Sequence, residues 1–320
     1  MDKRQFLQAA ALAVVAAAGR PASAQQNVTR IIVPYPAGGA SDQLPRMLAE
    51  SLQKSLGQSI VVENRAGASG SIGATLVAKA PPDGRTILIG SQALFAANVS
   101  LYKDTLTYDP QKDFAPVILA TTFACAVVVP ANSPFKSFKE LLDRVKSDDS
   151  TTYASAGNGT IQHIGGELLR GLAGIKARHV PYKGGSPAVM GVVGGETTFM
   201  MALLTEAMPL VKGGRLRALA VTTPQRLPAL PDLPAVAEFV PGFELESWYG
   251  FAVPAATPKD VVAKLNAAFD TALKEPAVRA RLVESWYGVV GGPPSRLGDI
   301  IAKDTAALRK VIADSNMKVD

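Results

Sequence analysis

An α/β fold is predicted by three features of this sequence. Short apolar, strand-like runs alternate with amphipathic helical segments, and the turns from strand to helix are built of Gly and other small residues. At 320 residues the chain is also long enough for two domains of ordinary size. Alternation of this kind argues for parallel strands covered by helices. One arrangement, a strand, a small-residue turn and a helix start, recurs more than a hundred residues later, so two such turns can face each other across a cleft.

The first two dozen residues stand outside the fold. Lys3 and Arg4 form a charged start, Ala9 to Ala18 a short apolar core, and Ala22-Ser23-Ala24 a small-residue cleavage site. This is the pattern of a secretory signal peptide over residues 1–24, too short in its apolar part to span a bilayer. The Lys3-Arg4 pair lacks the first Arg of a twin-arginine signal, which favours the general secretory route. Cleavage after Ala24 removes Asp2, Lys3, Arg4 and Arg20 and lowers the net charge from +6 to +4. A chain this mildly basic, with no Lys/Arg block, gives no reason to expect nucleic acid. The lone Cys125 cannot form an internal disulfide, and export without disulfides is compatible with a bacterial periplasm.

Ile31-Ile32-Val33 reads as the first strand, followed by the turn Pro36-Ala37-Gly38-Gly39-Ala40-Ser41 and a helix from about Asp42 to Leu56. Leu44, Met47, Leu48, Leu52 and Leu56 give that helix one apolar face. Asp42 is expected as its N-cap, with Pro45 in the first turn, where a missing amide costs no helical bond. The backbone amides of the turn and the helix start together make a pocket for an anion, here a carboxylate. Ser59 to Glu63 and Thr86 to Gly90 are further strands, separated by a helix from Ser71 to Ala80. Gly67, Gly70 and Gly73 mimic a dinucleotide fingerprint without its G-x-G pair, so helix packing is the better reading.

Val117 to Pro130 is too long for one ordinary strand and is expected to carry the chain from one domain to the other. Ser137 opens a helix with a capping box, and Thr152 to Ser155 is a strand. The second turn, Ala156-Gly157-Asn158-Gly159-Thr160, then leads into an amphipathic helix. A third candidate turn follows at Tyr182-Lys183-Gly184-Gly185, with Ser186 as cap and Pro187 at the first helical position. Glu246 to Phe251 is expected to return the chain to the first domain. Thr257-Pro258-Lys259-Asp260 reads as a capping box, with Pro at the first position, opening a helix from Val261 to Leu273. Further helices near Ala277 to Ser285 and Leu297 to Ala313 complete the chain.

Val33-Pro34-Tyr35-Pro36-Ala37-Gly38-Gly39 leading to Asp42, with Arg46 one turn on, resembles the opening of Bug-type solute receptors. These are the extracytoplasmic binding proteins of tripartite tricarboxylate transporters. Val62-Glu63-Asn64-Arg65-Ala66-Gly67-Ala68, Tyr153 to Gly159, His179 to Gly184, Leu216 to Val221 and Leu230 to Pro234 extend the resemblance over essentially the whole mature chain. Pro45 and the segment Leu203-Leu204-Thr205-Glu206 depart from the pattern, the latter with consequences for ligand choice. The resemblance implies a type II periplasmic-binding-protein fold: lobe 1 from residues 27–123 with 248–320, and lobe 2 from 124–247. It also implies a small organic acid clamped between the lobes and delivered to a membrane transporter of the tripartite type. Carried onto this chain, the ligand-binding turns are Gly38, Gly39, Ala40, Ser41 and Asp42, and Ala156, Gly157, Asn158, Gly159 and Thr160. Tyr35, Gln92, Phe95 and Tyr182 are the expected wall residues.

A monomer without cofactor or metal is expected, since two His and one Cys in different segments do not resemble a zinc site. Two rival readings stay open: a periplasmic ligand sensor feeding a signalling system, and a secreted hydrolase. For the second, the sequence offers no G-x-S-x-G elbow and no P-loop.

Overall fold

The computed structural model describes residues 28–314, and the expected signal peptide lies outside them. Strands β1 (Val28–Val33), β2 (Ser59–Asn64) and β3 (Thr86–Ser91) are parallel, with β1 in the middle. Helices α1 (Ala40–Leu56) and α2 (Ser71–Ala78) make the two crossovers. The strands are apolar on both sides because both sides are covered. Ile31, Val33, Ile87 and Ile89 face Leu44, Leu48 and Leu52 of α1, whereas Ile32 and Leu88 face Ala74 and Val77 of α2. Each of these large side chains contributes about 1.5–3 kcal/mol by leaving water. Gly73 serves this packing, since a Cβ there would lie 3.0 Å from the Pro34 Cα.

The short helix α3 (Asn98–Leu101) follows β3 and precedes β4 (Phe114–Pro130), a single strand of 17 residues. β4 is longer than one sheet needs because it serves two neighbourhoods. From Phe114 to Ala124 it pairs antiparallel with β9 (Glu246–Pro254), with register shifts near Pro116 and Leu119. From Cys125 onward it pairs with β7 (Phe199–Leu203) and β8 (Leu216–Val221), on opposite edges. The second half continues with β5 (Thr152–Ser155) and β6 (Arg178–Pro181), giving the order β2-β1-β3-β9-β4-β7-β5-β6. The expected domain crossing at Val117 to Pro130 is thus one continuous strand.

Helices α4 (Phe138–Ser147) and α5 (Ile161–Ala173) cover one face of the second half, packing Phe138, Leu141, Ile164 and Leu169 against Tyr153, Phe199 and Met201. Helices α6 (Gly185–Val193) and α7 (Leu204–Lys212) cover the other with Ala188, Val192, Ala207 and Met208. The chain closes on the first half with α8 (Lys259–Lys274), α9 (Pro276–Glu284), the short strand β10 (Gly288–Val289) and α10 (Ser295–Asp314).

Several helix starts differ from expectation. The N-cap of α1 is Gly39, not Asp42, so Pro45 is the sixth helical residue and removes one interior hydrogen bond. Gly184, not Ser186, precedes α6. The α8 start has Pro258 at the cap and no side-chain bond, so the expected box at Thr257 does not form. At α4 the Ser137 hydroxyl does accept the Glu140 amide, but the Glu140 carboxylate turns to the amide of Lys136.

Candidate functional site

The C-terminal ends of β1 and β5 point their turns toward a common cleft between the two halves. In the first turn Gly38 has φ +90°, which lets its amide turn back to Asp42 Oδ2 at 3.0 Å. Asp42 Oδ1 also accepts from Arg46 Nε (3.0 Å) and Nη2 (2.9 Å) and from Asn64 Nδ2 (3.0 Å). Burial opposes ionisation of this carboxyl, but the bonds from Arg46, Gly38 and Asn64 prevail and hold it below its usual range. Asp42 therefore knits the turn together from behind and does not face the cleft. The amides of Asp42 and Gln43 fold back on the Gly39 carbonyl, both at 3.0 Å. The Gln43 bond is the first regular helical one, so of the four orphan donors only Asp42 is satisfied within the turn. Gly39, Ala40 and Ser41 remain on the side of the chamber they line.

The second turn is built differently. The Ser155 hydroxyl takes the Gly157 amide at 3.1 Å, and His163 Nδ1 takes the Gly159 amide at 3.0 Å. Thr160 gives both its amide and its hydroxyl to the Gly157 carbonyl. Behind the turn, the His163 and His179 rings stack at 3.9 Å and 6°, and His179 Nε2 lies 2.6 Å from Ser155 Oγ. Burial pushes both imidazoles down, to about 4 for His163 and about 3 for His179, so both stay neutral and can brace the turn. Gly157, Gly159 and Thr160 thus spend their amides internally, and Gly159 packs toward Leu101 and Asn98 across the cleft. The two His lie in different segments of the sequence, and the fold makes them a pair.

The segment that directly faces the first turn is the third one. An added Cβ on Gly184 would meet Pro36 at 3.6 Å, and one on Gly38 would meet Ser186 Oγ at 3.9 Å. Between them lies an inner chamber of about 60 Å³, lined by Tyr35, Gly39, Ala40 and Ser41 from one half and Ala156, Thr160, Gly184 and Gly185 from the other. Phe123, Leu203, Ser247 and Tyr249 line it as well, and no Lys or Arg does. An outer chamber of about 550 Å³ opens beside it, lined by Tyr35, Pro36, Ser69, Asn98, Ala156, Gly157, Asn158, Thr160, Tyr182 and Lys183 among others. Tyr35, Ala156 and Thr160 belong to both. The inner space holds only a few water-sized groups, whereas the outer one has room for the body of a small molecule.

Besides hydroxyl residues such as Ser41, Ser91 and Ser247, the inner chamber is lined by one carboxylate, Glu206, and one side-chain amide, Gln162. Glu206, the third residue of α7, directs Oε1 toward the Ala40 amide at 3.5 Å, and an added Cβ on Gly185 would lie 2.2 Å from that oxygen. Its carboxylate therefore sits where the starts of α1, α6 and α7 converge. Burial pushes this carboxyl up to about 7, with the Ala40 amide pulling the other way. Its Oε2 and the Gln162 Oε1 are both sealed from solvent without a hydrogen-bond partner.

Gln92 and Phe95, expected as wall residues, line neither chamber. Phe95 is fully buried against Trp248 and Phe114, under Gly90, and Gln92 Nε2 bonds Asp304 at 2.7 Å. Gly38, Asp42 and Gly159 support the turns from outside the chambers. Tyr182 lines the outer chamber with its hydroxyl on Glu196. Gln162, Ser247 and Tyr249 carried no sequence signal as site residues, whereas Gly185 belongs to the third candidate turn. Glu206 was marked only within Leu203-Leu204-Thr205-Glu206, a departure from the family pattern that bears on ligand choice. Among the described residues no cluster of three or more His, Cys, Asp or Glu is placed to hold a metal ion, and no helix is long and apolar enough to cross a membrane.

The chain resembles known proteins over nearly its whole length. The sequence profile of the tripartite tricarboxylate transporter family receptor matches residues 44–317. A protein encoded in the tcbD-tcbE intergenic region of Pseudomonas sp. strain P51 is 37% identical over all of this chain and 96% of its own length. A Rhodopseudomonas palustris protein solved with adipate superposes with a TM-score of 0.87 at 33% identity, over 91% of this chain and 98% of that one. MatC from the same organism, solved with malate, gives 0.84 at 32% identity, over 89% and 98%. These likenesses also bear out the periplasmic-binding-protein fold, with its two α/β lobes around a cleft. The chain is a member of the receptor family of tripartite tricarboxylate transporters.

Proposed function

We propose that this chain is an exported receptor that captures a small organic acid between its lobes and presents it to the membrane subunits of a tripartite transporter. It acts as a monomer, in the periplasm, and releases its ligand unchanged. Lobe 1 comprises residues 27–123 with 248–320 and lobe 2 residues 124–247, with β4 and β9 as the connecting strands. The observation that carries this reading is the convergence of helix starts from both halves on one chamber that no Lys or Arg lines. An anion is stabilised there by amides and helix dipoles. Malate and adipate, carried by the two solved relatives, are themselves small organic acids.

Each amide given to a charged acceptor is worth roughly 1.5–3 kcal/mol net, and a partly buried helix start adds up to ~2. Removing water from a carboxylate costs several kcal/mol, and micromolar binding requires about 8. One turn alone cannot supply this, so both halves and contacts in the outer chamber must contribute. Thermal-shift screening against mono-, di- and tricarboxylates, aromatic acids and amino acids, each beside its uncharged amide, tests the proposal. Stabilisation by acids and not by their amides is expected. Stabilisation by neither, or steady conversion of the acid into product, overturns it.

A further inference from the structure

The inner chamber already contains one carboxylate, and it belongs to the protein. Glu206 stands at the convergence of three helix starts, near enough to the Ala40 amide to compete with any acid for it. A plain dicarboxylate entering beside Glu206 meets either a like charge or a carboxyl that must first take up a proton, and no Lys or Arg in the chamber offsets this. The sealed Glu206 Oε2 and Gln162 Oε1 are both acceptors without donors. A carboxylate has no hydrogen to give them, whereas an ammonium group has three.

We propose that Glu206, with Gln162 of the same chamber, is the specificity-determining residue of the cleft and selects acids that carry an ammonium group over plain di- and tricarboxylates. This deepens the reading of the cleft as an organic-acid site and rests on it. The ligand's carboxylate takes the Ala40 and Ser41 amides, its ammonium bridges the two unpartnered oxygens, and the ion pair with Glu206 replaces the repulsion. The titratable groups facing Glu206 are Cys125, Tyr249 and Tyr287, all raised by burial and hence neutral, so none of them supplies the missing cation.

Calorimetry on the mature protein with matched pairs tests this: L-alanine against propionate, L-aspartate against succinate, and L-glutamate against glutarate. The amino member of the pair that fits best is expected to bind at least tenfold tighter, and Glu206→Gln is expected to reduce that preference to under threefold. A proton count, from titrations in buffers of different ionisation heat, reads the same contact without any variant. With its carboxyl near 7 when empty, Glu206 loses proton occupancy when an ammonium arrives, so binding at pH 7 releases protons; a plain dicarboxylate takes them up. Equal or tighter binding of succinate or glutarate, a preference that survives Glu206→Gln, or proton uptake with the amino acid each overturns the inference. If no acid of any kind binds, the organic-acid reading itself fails.

Discussion

The two turns that look most alike in sequence behave least alike in the fold. Gly38 to Asp42 and Ala156 to Thr160 each follow a strand, contain two glycines or their equivalents, and open a helix. The first is braced from behind by Asp42, Arg46 and Asn64, which leaves the Ala40 and Ser41 amides on the cleft side, the former reached by Glu206 at 3.5 Å. The second is braced by Ser155 and His163, which consume the Gly157 and Gly159 amides themselves. Whether a small-residue turn grips a ligand is decided by which group satisfies its amides, and that group lies elsewhere in the chain. The face opposite the first turn is completed by Gly184, Gly185 and Glu206 instead.

The largest effect that would break this comparison comes from the third turn. Gly185→Val drives a side chain against the buried Glu206 carboxylate, 2.2 Å from where the added Cβ would sit. It is expected to weaken acid binding at least 100-fold, about 2.7 kcal/mol, as read by calorimetry on protein shown to be folded by circular dichroism. A loss below threefold would restore the second turn as the main partner of the first.

Acid sensitivity separates the turns next. His163 and His179 are held below their ordinary value near 6.5, so the unfolded chain binds more protons than the native one as the pH falls. Their contribution is therefore present above pH 6.5 and lost as the pH falls from 6.5, to about 4 for His163 and to about 3 for His179. By pH 4.5 each costs on the order of 2 kcal/mol. Denaturant titrations across this range should show the loss, and His179→Phe should remove about half of it. No change in slope with the variant would mean that the pair does not brace the second turn.

Asp42→Ala is expected to weaken binding about tenfold and destabilise the protein by about 1–2 kcal/mol, since it strips partners from the Gly38 amide and Asn64. Lys183→Ala, at the exposed rim of the outer chamber, is the smallest expected effect, under threefold in affinity. A loss from Lys183→Ala equal to that from Asp42→Ala would argue for a charge-based clamp in place of an amide-based one.

Much of the frame was legible because local pattern and tertiary burial agree there. Ile31 to Val33, Thr86 to Gly90 and the apolar stripe from Leu44 to Leu56 are buried as their spacing requires. The helix starts were less legible. Asp42 has the chemistry of a cap, yet four bonds from Arg46, Gly38 and Asn64 outcompete that role, and the helix begins at Ala40. Phe95 and Gln92 illustrate a second limit. An aromatic and an amide just after a strand end suit a ligand wall, but the helical stretch after β3 turns them toward Trp248 and Asp304, far along the chain. Glu206 was marked only as part of a segment that departs from the family pattern, while its meeting with Ala40 and Gly185 arises only from packing the two halves together.

A crystal structure with the tightest-binding acid from the screen probes the grip itself. Carboxylate oxygens should lie about 2.7–2.9 Å from the main-chain nitrogens at positions 40 and 41. A bound acid anchored on the Lys183 ammonium, with those two nitrogens hydrated, would contradict the account.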